Sequence, residues 1–221
     1  VNVYAFIKEV SSRLKEGQIT VVGNGSACVV GGHAYVLKKG QRFISNSAIA
    51  AMGYDLPAAI GAWAASRKNQ CYSMGSDKTG DDLILVTGDG SLQMNIQELQ
   101  WVKRENIPVK MIVMNNEALG MIRHLQRDYF DCVYADTSDG SGFSSCDFTD
   151  VAQAYGIPAK RIQGEDVEKY AGGFLEQNGP ELLEIMLEHG TYAYPKTCLG
   201  EPIHNQQPYI PKPIFDELME L

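Results

Sequence analysis

The chain has 221 residues, of which 44% are apolar and 21% charged, a composition typical of a globular protein with a buried core. At about 150 residues per domain, this length predicts one large domain or one domain with a long appendage. The net charge of −8 argues against nucleic acid or an anionic membrane as a partner, and no apolar run approaches the ~20 residues of a membrane span.

Along the chain, short apolar runs alternate with stretches of helical periodicity. Helices are predicted near 2–15, 26–38, 54–66, 92–104, 118–128, 147–155 and 166–177. Strands are predicted at 19–22, 43–44, 83–86, 109–114, 158–162 and 182–187. Residues 67–82 and 131–146 are polar and predict surface loops. Prolines are concentrated near the C-terminus, which predicts a domain at 1–190 followed by a proline-rich, extended tail at 191–221 that ends in a short helix.

Apolar strands that alternate with helices predict an α/β fold, in which helices cover both faces of a parallel sheet. Ligands of such sheets bind at the carboxyl ends of the strands. Three predicted strand ends carry unusual sequences, Gly23-Asn24-Gly25, Gly88-Asp89-Gly90 and Asn115-Asn116, and all three would lie on this edge. The sequence therefore predicts the functional site at this edge of the sheet.

The turn formed by residues 88–91 (GDGS) suits an anion, because it leads from a strand into a helix whose N-terminal N–H groups favour negative charge. Asp89 would repel a phosphate there unless a divalent cation lay between them, and oxygen ligands suit Mg²⁺. Asn116, at the end of the neighbouring strand, offers an amide oxygen. The alternative is that Asp89 only forms the turn and the asparagine pair belongs to an ordinary loop.

These motifs resemble a known family. The GDGS of residues 88–91, followed by the NN of residues 115–116, resembles the thiamine diphosphate signature of the decarboxylase and acetolactate synthase superfamily. Residues 43–62 (FISNSAIAAMGYDLPAAIGA) are similar to another stretch of the family, and residues 115–123 (NNEALGMIR) resemble the acetolactate synthase form of the NN motif. The resemblance is to the pyrophosphate-binding (PP) domain and implies the thiamine diphosphate-binding fold.

The resemblance implies a role for each matching position. Asp89 and Asn116 would hold Mg²⁺ through their side chains, and Ala118 through its carbonyl. Met52 would separate the two rings of thiamine diphosphate, and the Ala50 carbonyl would accept a hydrogen bond from its amino group, which makes these two the catalytic candidates. The positions expected to contact the cofactor are Gly25, Ser26, Ala27, Met52, Gly88, Asp89, Gly90, Ser91, Asn116, Ala118, Leu119, Gly120 and Met121.

The implied reaction is the decarboxylation of a 2-oxo acid, with or without ligation of the product to a second carbonyl compound. In this family a separate pyrimidine-binding (Pyr) domain supplies the glutamate that activates the cofactor, and no part of the chain resembles it. A Pyr-type domain or subunit is therefore an expected partner, within a homo- or hetero-oligomer. FAD, which some relatives bind, would need a domain outside these residues.

Two other functions remain open. Ser47, Ala48 and Ala50 stand where the family usually has glycines, which favours a non-catalytic binding or assembly subunit that retains the diphosphate and metal site. A nicotinamide-binding domain is disfavoured, because Cys28 stands at the third glycine of the dinucleotide fingerprint and Asp89 would face the phosphates.

Three further features bear on the protein's context. Five scattered cysteines without a CxxC pair argue against a disulfide framework or structural zinc and predict a cytoplasmic protein. The chain begins Val1-Asn2-Val3 without Met, which suggests a piece of a longer protein. Asp55 replaces a frequent glycine of the family, and His124 is expected to be structural or peripheral.

Overall fold

The computed structural model describes residues 2–72, 83–163 and 167–221. The strands of its main sheet are β1 (Ile19–Val22), β2 (Arg42–Ser45), β3 (Leu83–Gly88), β4 (Val109–Asn115), β5 (Ala159–Ile162) and β6 (Glu181–Met186). They lie in the order β2-β1-β3-β4-β6-β5, and every neighbouring pair is parallel. The predicted parallel sheet is confirmed.

Helices precede, connect and follow these strands. Their bounds are α1 (Val3–Arg13), α2 (Ser26–Ala34), α3 (Asp55–Tyr72), α4 (Asp89–Met94), α5 (Leu99–Arg104), α6 (Gly120–Tyr129), α7 (Phe148–Ala154), α8 (Val167–Glu176) and α9 (Lys212–Met219). None of the helices in the described ranges is long and apolar enough to cross a membrane.

The sheet separates two apolar cores, because successive side chains of a strand point to opposite faces. In β3, Ile84 and Val86 pack with α1, α2 and α8, whereas Leu83 and Leu85 pack with α3, α4, α5 and α7. Both faces are therefore covered by helices. This explains why the central strands β1 and β3 are almost entirely apolar instead of alternating with polar residues.

The predicted continuous helix 92–104 is wrong, because the chain leaves helical geometry at Asn95 (φ −133°, ψ 33°). A short 3₁₀ turn, Ile96–Glu98, separates α4 from α5. The Asn95 side chain donates a hydrogen bond to the Gly53 carbonyl at 2.5 Å, a contact with a segment distant in sequence. The apolar periodicity continues across the break because Leu92 and Leu99 face the same core.

Two predicted boundaries also differ. Helix α2 ends at Ala34 instead of residue 38, because the next residues turn to pack on α1 and β1: the Tyr35 hydroxyl lies 2.6 Å from the Thr20 hydroxyl, and the Val36 N–H donates to Ser11 Oγ. Helix α3 continues to Tyr72, so the predicted loop 67–82 begins too early. The rest of that predicted loop lies outside the described residues.

The chain divides into two compact units, residues 1–191 and 192–221. The first contains the six-stranded sheet and α1 to α8. The second contains a small antiparallel pair, β7 (Lys196–Thr197) and β8 (Gln206–Gln207), followed by α9. Pro211 directly precedes α9, and Pro213 lies in its first turn, where a missing N–H costs no helical hydrogen bond.

The central strands should dominate the stability of the first unit. We expect Ile112→Ala to lower the free energy of unfolding by about 2–5 kcal/mol, because the Ile112 side chain is fully buried in β4 and its removal leaves a cavity. Ile203→Ala is the matched control, since Ile203 is 78% exposed and its loss should change stability by less than about 0.5 kcal/mol. Urea unfolding monitored by circular dichroism measures both, and equal effects would contradict the assigned core.

Candidate functional site

A cleft opens at the carboxyl edge of the sheet. In the sheet, β1 has β2 on one side and β3 on the other, so the strand order reverses direction between β1 and β3. The cleft lies at this switch point, where open α/β sheets bind their ligands. Its empty volume, including the part open to solvent, is about 650 Å³. Every residue expected to contact a cofactor lines this cleft: Gly25, Ser26, Ala27, Met52, Gly88, Asp89, Gly90, Ser91, Asn116, Ala118, Leu119, Gly120 and Met121.

Sequence reasoning missed some of the lining. Asn24 lies in the first strand-end turn, whose sequence alone does not show that this side chain lines the cleft. Leu187 and Thr191 follow β6, and the rule that ligands bind at carboxyl strand ends could have identified them. Met114 and Ile122 complete the lining and add apolar surface.

Three helices begin at this cleft. The caps of α2, α4 and α6 are Gly25, Gly88 and Leu119, and none of these caps supplies a side-chain hydrogen bond to its helix. The first N–H groups of a helix have no backbone partner within it, so they can bind an anion, and in α4 the Gly90 N–H already donates to the Asp89 carboxylate. The convergence of three such ends gives the cleft a local preference for negative charge, although the chain as a whole is acidic.

Asp89 places a carboxylate among these helix ends. It is 4% exposed and accepts hydrogen bonds from the Gly90 N–H at 2.8 Å and the Ala118 N–H at 3.1 Å. Burial, with a smaller contribution from the charge of Glu117, raises the pKa of Asp89 to about 6 despite these hydrogen bonds. The carboxylate is therefore held in a place where water compensates its charge poorly.

Glycines allow close approach in the cleft. A Cβ at Gly90 would lie 2.7 Å from Leu119 Cδ2 and 2.9 Å from Met52 Cε, so a side chain here would displace the apolar wall. A Cβ at Gly120 would lie 2.8 Å from Asn116 Nδ2. The absence of side chains at these two positions lets Met52, Leu119 and Asn116 occupy the cleft.

The segment that carries Met52 is held on both sides. Asn24 Nδ2 donates to the Ala50 carbonyl at 2.9 Å, and the Gly53 N–H donates to Ser91 Oγ at 2.9 Å. Ala50 itself does not line the cleft, and its carbonyl, with two lone pairs, keeps one acceptor position beyond Asn24. Its φ of 52° lies in the left-handed region, which explains why a glycine is usual at this position.

Asp55 is a buried carboxylate behind the cleft, with no exposed surface. It accepts a hydrogen bond from the Thr87 hydroxyl and another from the Leu56 N–H at 3.1 Å. A Cβ at Gly23 would collide with its Oδ2, so Asp55 occupies space that this glycine leaves free. Burial raises the pKa of Asp55 above its ordinary value.

His124 is buried in α6 at 3% exposure and does not line the cleft. Its Nε2 lies 3.4 Å from Asp128 Oδ2 on the same helix. The adjacent Arg123 guanidinium stacks over the Tyr134 ring at 3.7 Å and donates to Ser138 Oγ. These contacts agree with the structural role expected for His124.

The donor set of the cleft fits a hydrated oxygen-binding cation better than zinc. Among the described residues, no group of three or more His, Cys, Asp and Glu side chains could hold a metal ion. What the cleft offers is the Asp89 carboxylate, the Asn116 amide and the backbone around Ala118. Mg²⁺ commonly binds through one or two protein oxygens and completes its shell with phosphate oxygens and water.

A cleft at the switch point of a parallel sheet, with three open helix ends and one buried carboxylate, defines an α/β protein that binds a phosphorylated ligand. The family model "Thiamine pyrophosphate enzyme, C-terminal TPP binding domain" matches residues 23–185. The chain belongs to this family and has its thiamine diphosphate-binding fold.

Its similar relatives are acetolactate synthases. The chain is 33% identical over 79% of its length to probable acetolactate synthase 2, chloroplastic, of Oryza sativa subsp. japonica, covering 27% of that protein. It is 33% identical over 70% of its length to the acetolactate synthase isozyme 2 large subunit of Escherichia coli K12, covering 26% of it. The mitochondrial acetolactate synthase of Schizosaccharomyces pombe is 30% identical over 88% of the chain, which covers 27% of that relative. The chain thus spans about a quarter of the length of these curated relatives.

The buried Asp55 should make stability depend on pH. Because its pKa is raised in the folded state, the protonated form is favoured there, and stability is lost as the pH rises from the ordinary value of 3.8 through the raised one. Asp55→Asn removes this titration and keeps an acceptor for the Leu56 N–H, while the Thr87 hydroxyl can donate to the Gly88 carbonyl.

We therefore expect wild type to lose stability relative to Asp55→Asn as the pH rises from about 4 through the raised pKa of Asp55. Urea unfolding of both proteins across this range measures the difference in free energy, in which the titration of all other groups largely cancels. A difference that stays constant, or that favours wild type increasingly at high pH, would contradict the assignment.

Proposed function

We propose that this chain is the Mg²⁺- and thiamine diphosphate-binding module of an acetolactate synthase-like enzyme that decarboxylates a 2-oxo acid, with or without ligation of the product to a second carbonyl compound. The observation that carries the proposal is the buried Asp89 carboxylate at the meeting point of three helix N-termini. A carboxylate at such a place repels a diphosphate. A divalent cation between the two attracts both the carboxylate and the diphosphate, and so removes the repulsion.

Each part of the cleft has a role in this proposal. Asp89 and Asn116 hold Mg²⁺ through side-chain oxygens, and Ala118 through its carbonyl. The Gly90 N–H exchanges its bond to Asp89 Oδ1 for one to the diphosphate, and the Ser91 N–H donates beside it. The N–H groups at the start of α2, in the Gly25–Ala27 turn, donate from the opposite side. Two partial positive helix ends and one cation then balance the negative charge of the ligand.

The apolar wall orients the rest of the cofactor. Met52 and Leu119 meet at the Gly90 backbone, so they present apolar surface next to the diphosphate site. Met52 keeps the cofactor's rings apart, and the hydrogen bonds of Asn24 and Ser91 fix the segment that carries it. When bound, thiamine diphosphate supplies a carbon nucleophile and an electron sink for decarboxylation.

Catalysis in this proposal needs a partner. A Pyr-type domain or subunit contributes the glutamate that activates the cofactor, and the assembly is a homo- or hetero-oligomer. The support comes from the relatives, which are named acetolactate synthases and are nearly four times as long as the matched region. We keep the cytoplasm as the proposed compartment on the cysteine pattern alone, while the names of relatives place those proteins in chloroplasts and mitochondria.

Isothermal titration calorimetry with thiamine diphosphate tests the cofactor site. We expect wild type to bind in the presence of Mg²⁺, and Asp89→Asn to bind at least about tenfold more weakly, because the cation loses its charged ligand. In EDTA, which removes Mg²⁺, Asp89→Asn should bind thiamine diphosphate more tightly than wild type, because the uncharged side chain no longer repels the diphosphate.

Asp150→Asn is the matched control, since Asp150 is an exposed residue of α7 and the substitution changes the net charge equally. It should bind as wild type does in both buffers. Wild-type binding that ignores Mg²⁺ and survives Asp89→Asn would contradict the proposal.

The second candidate is a non-catalytic subunit that keeps the cofactor site, and it is favoured by Ala50, a residue with a Cβ in the left-handed region. We expect CO₂ release from pyruvate when the chain is mixed with a Pyr-type domain of an acetolactate synthase, and none with either component alone. A coupled assay for CO₂ measures this, with Asp89→Asn as the inactive control. Cofactor binding without CO₂ release from pyruvate or 2-oxobutyrate would favour the assembly subunit.

A further inference from the structure

Besides Asp89 and Asp55, a further buried carboxylate, Glu184, lies in β6. Glu184 has no exposed surface and accepts three hydrogen bonds from side chains: Asn115 Nδ2 at 2.7 Å, Thr149 Oγ1 at 2.9 Å and Arg161 Nε at 2.8 Å. Arg161 supplies the opposite charge and also pairs with Asp147 at 2.7 Å. The carboxylate is thus charge-balanced and well supplied with donors, which is the condition under which a buried ion is tolerated.

Asn115 connects Glu184 to the turn that follows β4. Its Nδ2 donates to Glu184 Oε1, and its Oδ1 accepts from the Glu117 N–H at 2.9 Å and from the Ser145 hydroxyl at 3.3 Å. Because one end of the amide faces a carboxylate and the other faces an N–H, its orientation is fixed. Asn115 does not line the cleft, whereas Asn116 does, so the two asparagines of the motif have different surroundings.

The turn held by Asn115 has an unfavourable backbone. Glu117 has a φ of 51°, in the left-handed region that costs a residue with a Cβ about 1 kcal/mol or more. The next N–H, that of Ala118, donates to Asp89 Oδ2 at 3.1 Å. A series of hydrogen bonds therefore runs from Glu184 through Asn115 and Glu117 to the cleft.

We propose that Glu184 and Asn115 are positioning residues, which hold the turn of residues 116–118 in the conformation that binds the cation. The inference rests on the proposed function for the identity of the ligand, whereas the hold on the turn is a property of the chain itself. Neither residue contacts the ligand. Residues that orient metal ligands through hydrogen bonds, without contacting the metal, typically lower metal affinity 10- to 100-fold when they are mutated.

The proposal can be tested by swapping the amide of Asn115 and the carboxylate of Glu184 between the two positions. Asn115→Asp places two carboxylates together but keeps the acceptor for the Glu117 N–H, and Glu184→Gln places two amides together. In the double variant, the introduced glutamine amide donates to the introduced carboxylate, while the glutamine oxygen still accepts from Arg161 and Thr149. We expect Asn115→Asp to weaken Mg²⁺-dependent thiamine diphosphate binding about 10- to 100-fold and the double variant to recover most of the loss.

Thr149→Val is the control for stability alone. It removes one hydrogen bond to the same carboxylate without touching Asn115, so it should lower the midpoint of thermal unfolding and leave the affinity unchanged. All titrations are made well below the lowest unfolding midpoint. Wild-type affinity in folded Asn115→Asp, or failure of the folded double variant to recover it, would overturn the proposal.

Amide hydrogen exchange of the cofactor-free protein separates this proposal from the function. We expect the Glu117 and Ala118 N–H groups to be protected in wild type, to lose protection in Asn115→Asp and to regain it in the double variant. Unchanged protection in Asn115→Asp would overturn the hold on the turn. If wild type binds no thiamine diphosphate, the proposed function fails, and the exchange pattern alone decides for or against the positioning role.

Discussion

The buried carboxylate of Asp89 is the constraint on which the site depends. An ionised group with 4% exposure is costly unless hydrogen bonds or a cation compensate it, and here the N–H groups of Gly90 and Ala118 provide part of the compensation. These donors come from the ends of two adjacent parallel strands, β3 and β4, whose register places Gly88 opposite Met114. The strand pairing thereby determines which backbone groups meet at the cleft.

Much of the fold could be predicted because it follows from local pattern. Apolar runs at β3 and β4 and the turn residues that follow them identify a parallel sheet and its functional edge without knowledge of any contact. The Gly88-Asp89-Gly90 turn can also be recognised, since glycines on both sides of an acidic residue after an apolar run are typical of a tight turn from a strand into a helix. Features that depend on one short segment can therefore be predicted from the sequence.

The rest depends on partners far apart in the chain. Helix periodicity cannot show the break at Asn95, because the residue that holds it, Gly53, lies 42 positions earlier. Glu184 lies between apolar residues in the middle of β6, and its partner Asn115 is 69 positions away. The pattern of β6 indicates a buried strand and gives no sign that the Glu184 carboxylate orients the turn that follows β4. Side-chain contacts across the sheet, unlike strand ends, leave no local signal.

The buried carboxylates Asp89 and Glu184 differ in how far the fold compensates their charge. Glu184 has the Arg161 guanidinium and two neutral donors, so its charge is balanced within the fold. The hydrogen bonds to Asp89 within the described part of the chain come from backbone N–H groups, and its pKa is raised to about 6. A carboxylate of the first kind contributes rigidity, because its partners cannot move without exposing a charge. A carboxylate such as Asp89 destabilises the fold in the absence of a ligand, and a bound cation would compensate its charge. Asp89 accordingly lines the cleft, whereas Glu184 does not.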